Sequence, residues 1–443
     1  MISEVVMIVV KFGGSSLADS NQFKKVKDIV LSDPQRHYVV PSAPGKRGKG
    51  DDKVTDLLYA VYAENEKGGN CELLFEKIRE RYGEIASSLS LDVPLEDELN
   101  TILSNIKNGA SRDYAASRGE YLNGKLLAAY LGFEFVDAAE VIFFDENGMF
   151  DEDKSNNALS QKLKDIPYAV IPGFYGADTE GNVRTFSRGG SDVSGALVAR
   201  AVNADVYENW TDVTGFRMAD PRIVPDAQYI DVLTYKELRE LSYMGAGVLH
   251  EDAVFPVRRA GIPTNIRNTN EPLHPGTMIR NNAGAENLSH VITGIAGRKG
   301  FSIISIEKDM MNAELGFGRK VLQAVEECGV NFEHLPTGID TMCVVVKQEE
   351  LNGHEDEVIS RIIEAVHPDS VTLHKNLALI ATVGRGMVRA YGTAARLFTA
   401  ISSQGISIRT IDQGSSELNI IVGVDEADFE NAVRAIYDTF VRM

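Results

Sequence analysis

The chain has 443 residues, 44% of them hydrophobic and 25% charged, which predicts a soluble globular protein of two or three domains. A formal net charge of −19, from 64 acidic and 45 basic residues with no basic stripe, excludes a nucleic-acid binder. No apolar run is long enough for a bilayer, no signal-peptide pattern is present, and three scattered cysteines (Cys71, Cys328, Cys343) suggest neither a disulfide framework nor a metal site, so a reducing cytoplasm is expected.

The first predicted element is a buried strand over Val5 to Val10, six apolar residues rich in β-branched types. It runs into Lys11-Phe12-Gly13-Gly14-Ser15-Ser16. A lysine at a strand end followed by two glycines offers a fixed cation beside a backbone that can turn sharply and expose N–H groups to a polyphosphate. Helices are predicted over Phe23 to Leu31, Thr55 to Tyr62, Ala115 to Leu131 and Asp192 to Ala204. Strands are predicted at Val39-Val40, Phe133 to Val136, Ala169 to Ile171 and Asp205 to Tyr207. This alternation indicates an α/β domain with a largely parallel sheet, whose ligands bind at strand ends.

Several segments along this domain carry candidate chemistry. Lys46-Arg47-Gly48-Lys49 reads equally as a solvated loop or as a mobile loop near an anionic ligand. Ser117-Arg118-Gly119-Glu120 is read at the start of its helix, with Glu120 either a solvated first-turn acid or a partner for a substrate ammonium. Ser187-Arg188-Gly189-Gly190-Ser191-Asp192 opens the next helix with N–H groups for an anion and an arginine suited to bidentate binding. Arginine, two glycines, serine and aspartate together exceed what a cap needs, which favours Asp192 as a carboxylate orienting an active-site lysine or metal. Trp210-Thr211-Asp212-Val213-Thr214-Gly215 and Ala219-Asp220-Pro221-Arg222 suit nucleotide contacts, or ordinary turns. No Walker A, protein-kinase, H-E-x-x-H or G-x-S-x-G motif is present.

The last third holds an internal repeat. Residues 301–346 align without gaps on 377–422, an offset of 76, with Met311 on Met387, Gly316 on Gly392 and Gly329 on Gly405. Each copy reads strand, turn, helix, glycine, strand, turn, strand, and the glycines fit helix C-caps. Such a unit has an apolar sheet face to bury, which suggests side-by-side pairing within the chain or across a dimer.

Together these segments resemble the aspartate kinase family over nearly the whole chain. Lys11-Phe12-Gly13-Gly14-Ser15-Ser16, Arg118-Gly119-Glu120, Phe186 to Asp192, Trp210-Thr211-Asp212, Ala219-Asp220-Pro221-Arg222, Gly261-Ile262-Pro263, Arg267-Asn268-Thr269 and Pro275-Gly276-Thr277 occur in the family's order. The resemblance implies an α/β fold. An amino-acid-kinase-like three-layer αβα sandwich with a largely parallel sheet is followed by two ferredoxin-like (βαββαβ) ACT domains. It implies a catalytic domain over 1–285 and a regulatory region over 286–443, with a first ACT unit at about 305–375 and a second at about 291–304 plus 376–443.

The activity implied is transfer of the ATP γ-phosphoryl group to the β-carboxylate of L-aspartate, with Mg²⁺ held on the ATP phosphates and no protein metal site. The product is 4-phospho-L-aspartate, in the first step towards lysine, threonine and methionine. By resemblance, Lys11 bridges the reacting anions and Asp192 orients it. Arg188, Gly189, Gly190 and Ser191 take the substrate α-carboxylate, Glu120 takes its ammonium, and Thr55 also faces aspartate. The nucleotide falls to Lys11, Phe12, Gly13, Gly14, Thr211, Asp212, Arg217, Arg222, Gly247 and Val248.

Two departures stand out. The family's Gly-Ala-Lys-Val-Leu-His reads Gly245-Ala246-Gly247-Val248-Leu249-His250 here, and Arg217 replaces the usual tyrosine of the nucleotide loop. An amino-acid effector is expected in the first ACT copy at Met311, Gly316, Phe317, Gly318, Asn331, Phe332, Glu333 and Thr337. Glu333 as partner of an ammonium favours lysine over threonine. ACT pairing implies a homodimer or a dimer of dimers. The competing readings are a kinase of another small acid, such as glutamate or a uridylate, and a non-catalytic amino-acid sensor.

Overall fold

The structure is a computed structural model describing residues 6–187, 189–247, 249, 251–282 and 290–442. The chain forms two compact units. The first comprises the residues up to 216 with 231–235 and 248–283; the second comprises 217–230, 236–247 and 284–443.

The first unit is built on an eight-stranded sheet. Its order is Glu134–Phe135, Ala169–Val170, Arg36–Pro41, Ile8–Phe12, Val206–Thr211, Thr264–Asn268, Thr277–Arg280, Val232–Thr234. Neighbours run parallel except Thr264–Asn268 against Thr277–Arg280. All five residues of Ile8–Phe12 are buried, as a central parallel strand covered on both faces requires. Alternation sends Ile8, Val10 and Phe12 into a core shared with the helices Ser20–Leu31, Val54–Glu66, Glu72–Ser88, Leu95–Lys107 and Arg112–Leu131. The opposite face carries Lys11 towards the helix Gly190–Ala201. The three-layer αβα architecture follows.

Element types expected from sequence are present, with shifted ends. The first strand begins at Ile8 and takes in Lys11 and Phe12, and the strand expected at Asp205 to Tyr207 extends through Thr211. Helix Arg112–Leu131 starts earlier than expected, because the Ser111 hydroxyl caps the Tyr114 N–H. Arg118, Gly119 and Glu120 therefore lie inside a buried helix rather than at its start. Helices Glu72–Ser88 and Leu95–Lys107 were not singled out, although Phe75, Ile78, Tyr82 and Ile85 give the first of them a clear buried stripe.

The second unit holds a six-stranded sheet ordered Phe332–His334, Thr341–Lys347, Gly294–Glu307, Ser370–Val383, Asn419–Asp425, Thr410–Asp412. Its two long central strands serve both repeat copies. Residues 301–307 pair with Thr341–Lys347 and the start of Ser370–Val383, whereas 294–299 pair with its end, which also pairs with Asn419–Asp425. Helices Phe317–Glu326 and Glu355–Val366 complete one βαββαβ unit, and Thr393–Ser402 and Phe429–Tyr437 the other.

Gly329 and Gly405 take φ of 71° and 72° just beyond the repeat helices, the left-handed geometry expected of C-terminal glycines. The repeat is not gapless. The offset is 76 between Phe317–Glu326 and Thr393–Ser402 but 78 between Thr341–Lys347 and Asn419–Asp425. The two extra residues fall in the helix-to-strand connection, where lengthening a loop costs little. The second copy's central strand is buried throughout Leu377 to Val383. Gly294 faces Ile230 and Leu241 on one side of this sheet, and Gly297 faces Phe429 on the other. Ile230 and Leu241 thus pack against the start of Gly294–Glu307, while the two copies pair side by side within the chain through their long central strands.

Candidate active site

Strand register builds the centre of the site. Lys11 pairs with Asn209 of the neighbouring parallel strand, so both side chains leave the same sheet face. They converge on Asp192 in the first turn of Gly190–Ala201: Lys11 Nζ lies 2.5 Å from Asp192 Oδ1, and Asn209 Nδ2 donates to the same oxygen at 2.8 Å. Lys11 is only 7% exposed, so its charge and that of Asp192 are held in one geometry. Sequence reasoning missed Asn209. Its signal was two adjacent polar residues, Glu208 and Asn209, in an otherwise apolar strand, since a strand buried on both faces carries polar side chains only where partners await them. Glu208 faces the other way and binds Arg36, Arg267 and the Trp210 indole N–H.

The glycines work by close approach. Gly13 has φ −69° and donates its N–H to Trp210 O, so no special turn needs it. A Cβ on Gly14 would lie 2.8 Å from Ala43 O, because residues 43–45 run directly over it. A Cβ on Gly173 would sit 2.8 Å from the Ser191 backbone, and one on Gly190 would meet Phe174. Gly189 alone of these takes the left-handed conformation, with φ 57°, as N-cap of its helix. Together they let backbone pack tightly about the helix N-terminus, with Ser191 and Asp192 in its first turn. Arg188 and Val248 lie outside the described residues.

Glu120 is 4% exposed, and its Oε2 has no hydrogen-bond partner. Burial pushes its carboxyl up to about 8, partly offset by the Ala43 N–H, Arg118 and Lys11. The first-turn solvated acid is thereby overturned. Gly119 beside it passes against Ala43, Leu58 and Val54, where a Cβ would find Ala43 Cβ at 2.8 Å. Tyr82 donates to Gly119 O, and Arg118 lies over the rings of Tyr114, Tyr121 and Tyr175. The Arg118 guanidinium is therefore committed to an aromatic cage. Thr55 sits in the first turn of Val54–Glu66, the helix that touches Gly119.

The basic loop is tied down. Arg47 binds Asp51 and Glu84, and the buried Arg81 reaches Gly45 O and Asp51. Bonding to Arg47 holds the Asp51 carboxyl well below the usual range. Lys46 and Lys49 remain exposed. Arg81 is a second residue that sequence reasoning missed.

The remaining nucleotide candidates divide between the units. Thr211 and Asp212 belong to the first, where the Thr211 hydroxyl donates to its neighbour's carboxylate. Arg217, Arg222 and Gly247 belong to the second. The Arg217 guanidinium donates to Ala227 O and Tyr229 Oη, and Arg222 is clasped by Asp220 while exposed to solvent.

Among the effector candidates, Met311 and Phe317 are buried, Gly316 caps its helix with φ 80°, and Gly318 passes near the Met342 side chain. Asn331 binds Glu350, Thr337 binds Leu335 O, and Phe332 is half exposed. The Glu333 carboxylate is not exposed: Lys347 and Tyr243 already occupy it. Among the described residues, no cluster of three or more metal-ligating side chains occurs and no helix is long and apolar enough to cross a membrane.

Residues 6–268 match the amino acid kinase family, and residues 380–440 match an ACT domain. Aspartokinase 3 of Bacillus subtilis (strain 168) is 41% identical over 450 aligned positions, spanning 98% of each chain. The crystal structure of Clostridium acetobutylicum aspartate kinase is similar at 54% identity and a TM-score of 0.91, over 98% of this chain and all of the other. Escherichia coli aspartokinase III in complex with lysine and aspartate (T-state) is similar at 25% identity and a TM-score of 0.73, over 98% of this chain and 99% of that one. A fold of kinase sandwich plus ACT repeat, matched from end to end by these enzymes, shows that the chain belongs to the aspartokinases of the amino acid kinase family.

Proposed function

We propose that the chain transfers the γ-phosphoryl group of Mg-ATP to the β-carboxylate of L-aspartate, giving 4-phospho-L-aspartate and ADP. The observation that carries this reading is Lys11, Asn209 and Asp192 converging beside a helix N-terminus, with the Glu120 carboxylate, whose Oε2 has no partner, buried in the same unit. A substrate carboxylate ionises near ~4 and needs no general base. Its oxygen attacks the γ-phosphorus, the bond to the bridging oxygen breaks, and ADP leaves with that oxygen. The obstacle is repulsion between anions, which Lys11 and the N–H groups at Gly189 to Ser191 offset. Asp192 keeps Lys11 aimed, Asn209 keeps Asp192 aimed, and Glu120 receives the substrate ammonium. Thr55 and Arg188 complete the aspartate contacts. By resemblance to the family, the nucleotide contacts are assigned to Phe12, Gly13, Gly14, Thr211, Asp212, Arg217, Arg222, Gly247 and Val248, with Mg²⁺ arriving on its phosphates.

The E. coli aspartokinase III in complex with lysine and aspartate supports an amino-acid effector, lysine before threonine, which we place at the first ACT copy. We assign catalysis to residues 1–285 and regulation to 286–443, working as a homodimer or a dimer of dimers through the ACT sheets. Hydroxylamine trapping with Mg-ATP and L-aspartate tests the core of this reading. Aspartate-dependent hydroxamate that lysine suppresses is expected; folded protein that forms none overturns it.

Gly247 yields a separate prediction. Its φ is outside the left-handed range, and among the described residues an added Cβ meets nothing closer than Gly245 O at 4.0 Å. Gly247→Lys therefore fits without strain and supplies the cation of the family pattern Gly-Ala-Lys-Val-Leu-His. It is expected to lower the KM for ATP about two- to fivefold, the worth of one partly screened charge pair. An unchanged KM would remove Gly247 from the nucleotide contacts.

A further inference from the structure

The carboxylate expected to sense an effector is already satisfied by the chain itself. The Glu333 side chain is 3% exposed; Lys347 Nζ lies 3.1 Å from one oxygen and the Tyr243 hydroxyl donates to the other. The two partners are not equivalent. Lys347 has an alternative acceptor in Glu350 at 3.5 Å, and Glu350 in turn accepts both the N–H and the side-chain amide of Asn331. Tyr243 is a neutral donor at the end of the helix Tyr235–Tyr243. Burial and the Glu333 carboxylate push its hydroxyl above the ordinary value, so it stays a donor across physiological pH.

Tyr243 also stands at the head of the segment leading to Gly247. Its carbonyl is within 3.5 Å of Arg298 Nη1, and Gly245, with φ 106°, lies against the Arg298 side chain, where a Cβ would be 3.0 Å from Cγ. After Gly247 the chain leaves the second unit. Whatever anchors Tyr243 therefore sets where residues 244–247 start.

We propose that Tyr243 is the internal competitor of the effector: its hydroxyl holds Glu333, an effector's side-chain ammonium displaces it, and displacement frees the segment that runs to Gly247. The proposal rests on the reading of an ammonium-bearing effector at the first ACT copy. An ammonium brings a full positive charge to the Glu333 carboxylate where the phenol brings only a dipole, so the exchange favours the ammonium. An amino acid without a side-chain cation has no means of displacing Tyr243, which makes Tyr243 a positioning residue for effector selectivity.

The test is calorimetric titration of the full chain and of Tyr243→Phe with L-lysine, and with L-norleucine as the same-length ligand lacking the side-chain ammonium. The phenylalanine keeps the ring of a side chain that is 47% exposed, so the fold is retained. Removing the competitor is expected to tighten lysine binding about three- to tenfold, the size of one hydrogen bond, and to leave norleucine unchanged. Equal lysine affinity in both proteins overturns the latch and leaves the effector site standing. Equal tightening of both ligands also overturns it, because general loosening then explains the effect. No lysine binding by the unaltered chain overturns the effector site and the latch with it.

Discussion

Lys11→Met is expected to lower kcat by about 10²–10³-fold, the cost of losing a preorganised charge at a developing anion. Lys11 is the only cation paired with Asp192 among the described residues, and it is buried, so no other side chain inherits its position. The interaction strengthens as charge shifts between the phosphoryl group and the attacking carboxylate, so kcat and kcat/KM should fall together. Methionine fills a similar volume. Asp192 keeps Asn209 at 2.8 Å, and its side chain is 18% exposed, so water reaches the carboxylate left behind. Thermal unfolding should therefore show an intact fold. Steady-state ADP release and hydroxamate yield measure the effect, and a folded variant within tenfold of the unaltered enzyme would refute the role given to Lys11.

Glu120→Gln should separate stability from substrate binding. The Glu120 carboxyl has an ordinary value of 4.5 and is raised to about 8 in the folded chain. Between those values the folded protein holds a proton that the unfolded chain has lost. Stability therefore falls as pH rises from about 4.5, and the loss is complete above about 8. Glutamine cannot ionise and escapes this loss. The variant should melt close to the unaltered protein near pH 4.5 and above it by several degrees at pH 8.5. Aspartate binding should move the other way. An ammonium docking on Oε2 needs the ionised carboxylate, and losing that charged bond should raise the KM for aspartate about 10–100-fold. In the unaltered enzyme the same KM should fall as pH rises from 6.5 to 8.5, a slope the glutamine variant lacks. A variant with unchanged KM and no pH-dependent gain in melting temperature would show that Glu120 is only a buried acid.

Glu120 also marks where one-dimensional reading stops. Its motif was legible, but its placement was not, because the Ser111 cap starts the helix eight residues before Gly119 and turns Arg118 to Glu120 into the core. The effector carboxylate behaved likewise. Glu333 was picked out as a partner for an ammonium, yet Lys347 and Tyr243, the latter 90 positions away, already meet that need. Gly14 was read as a residue for a sharp turn and close approach to a ligand, and the close approach it makes is to the chain's own backbone at Ala43.

What the sequence determined by itself was everything carried by local order. Strand-to-helix alternation, the glycines around Gly189, the duplicated C-terminal pattern and the run from Lys11 to Gly14 all depend on neighbours along the chain, where periodicity and backbone freedom act. Tertiary structure alone decided which charges meet. Asn209 joins Lys11 only because two parallel strands align in one register, and Asp192 joins them only because a helix begins opposite that face. It also decided that Leu241 packs onto the sheet of the repeat at Gly294. The physical reason is the same in each case. A buried charge or an open apolar face must find a partner, but the partner's identity depends on packing between segments far apart in sequence, which no local pattern records.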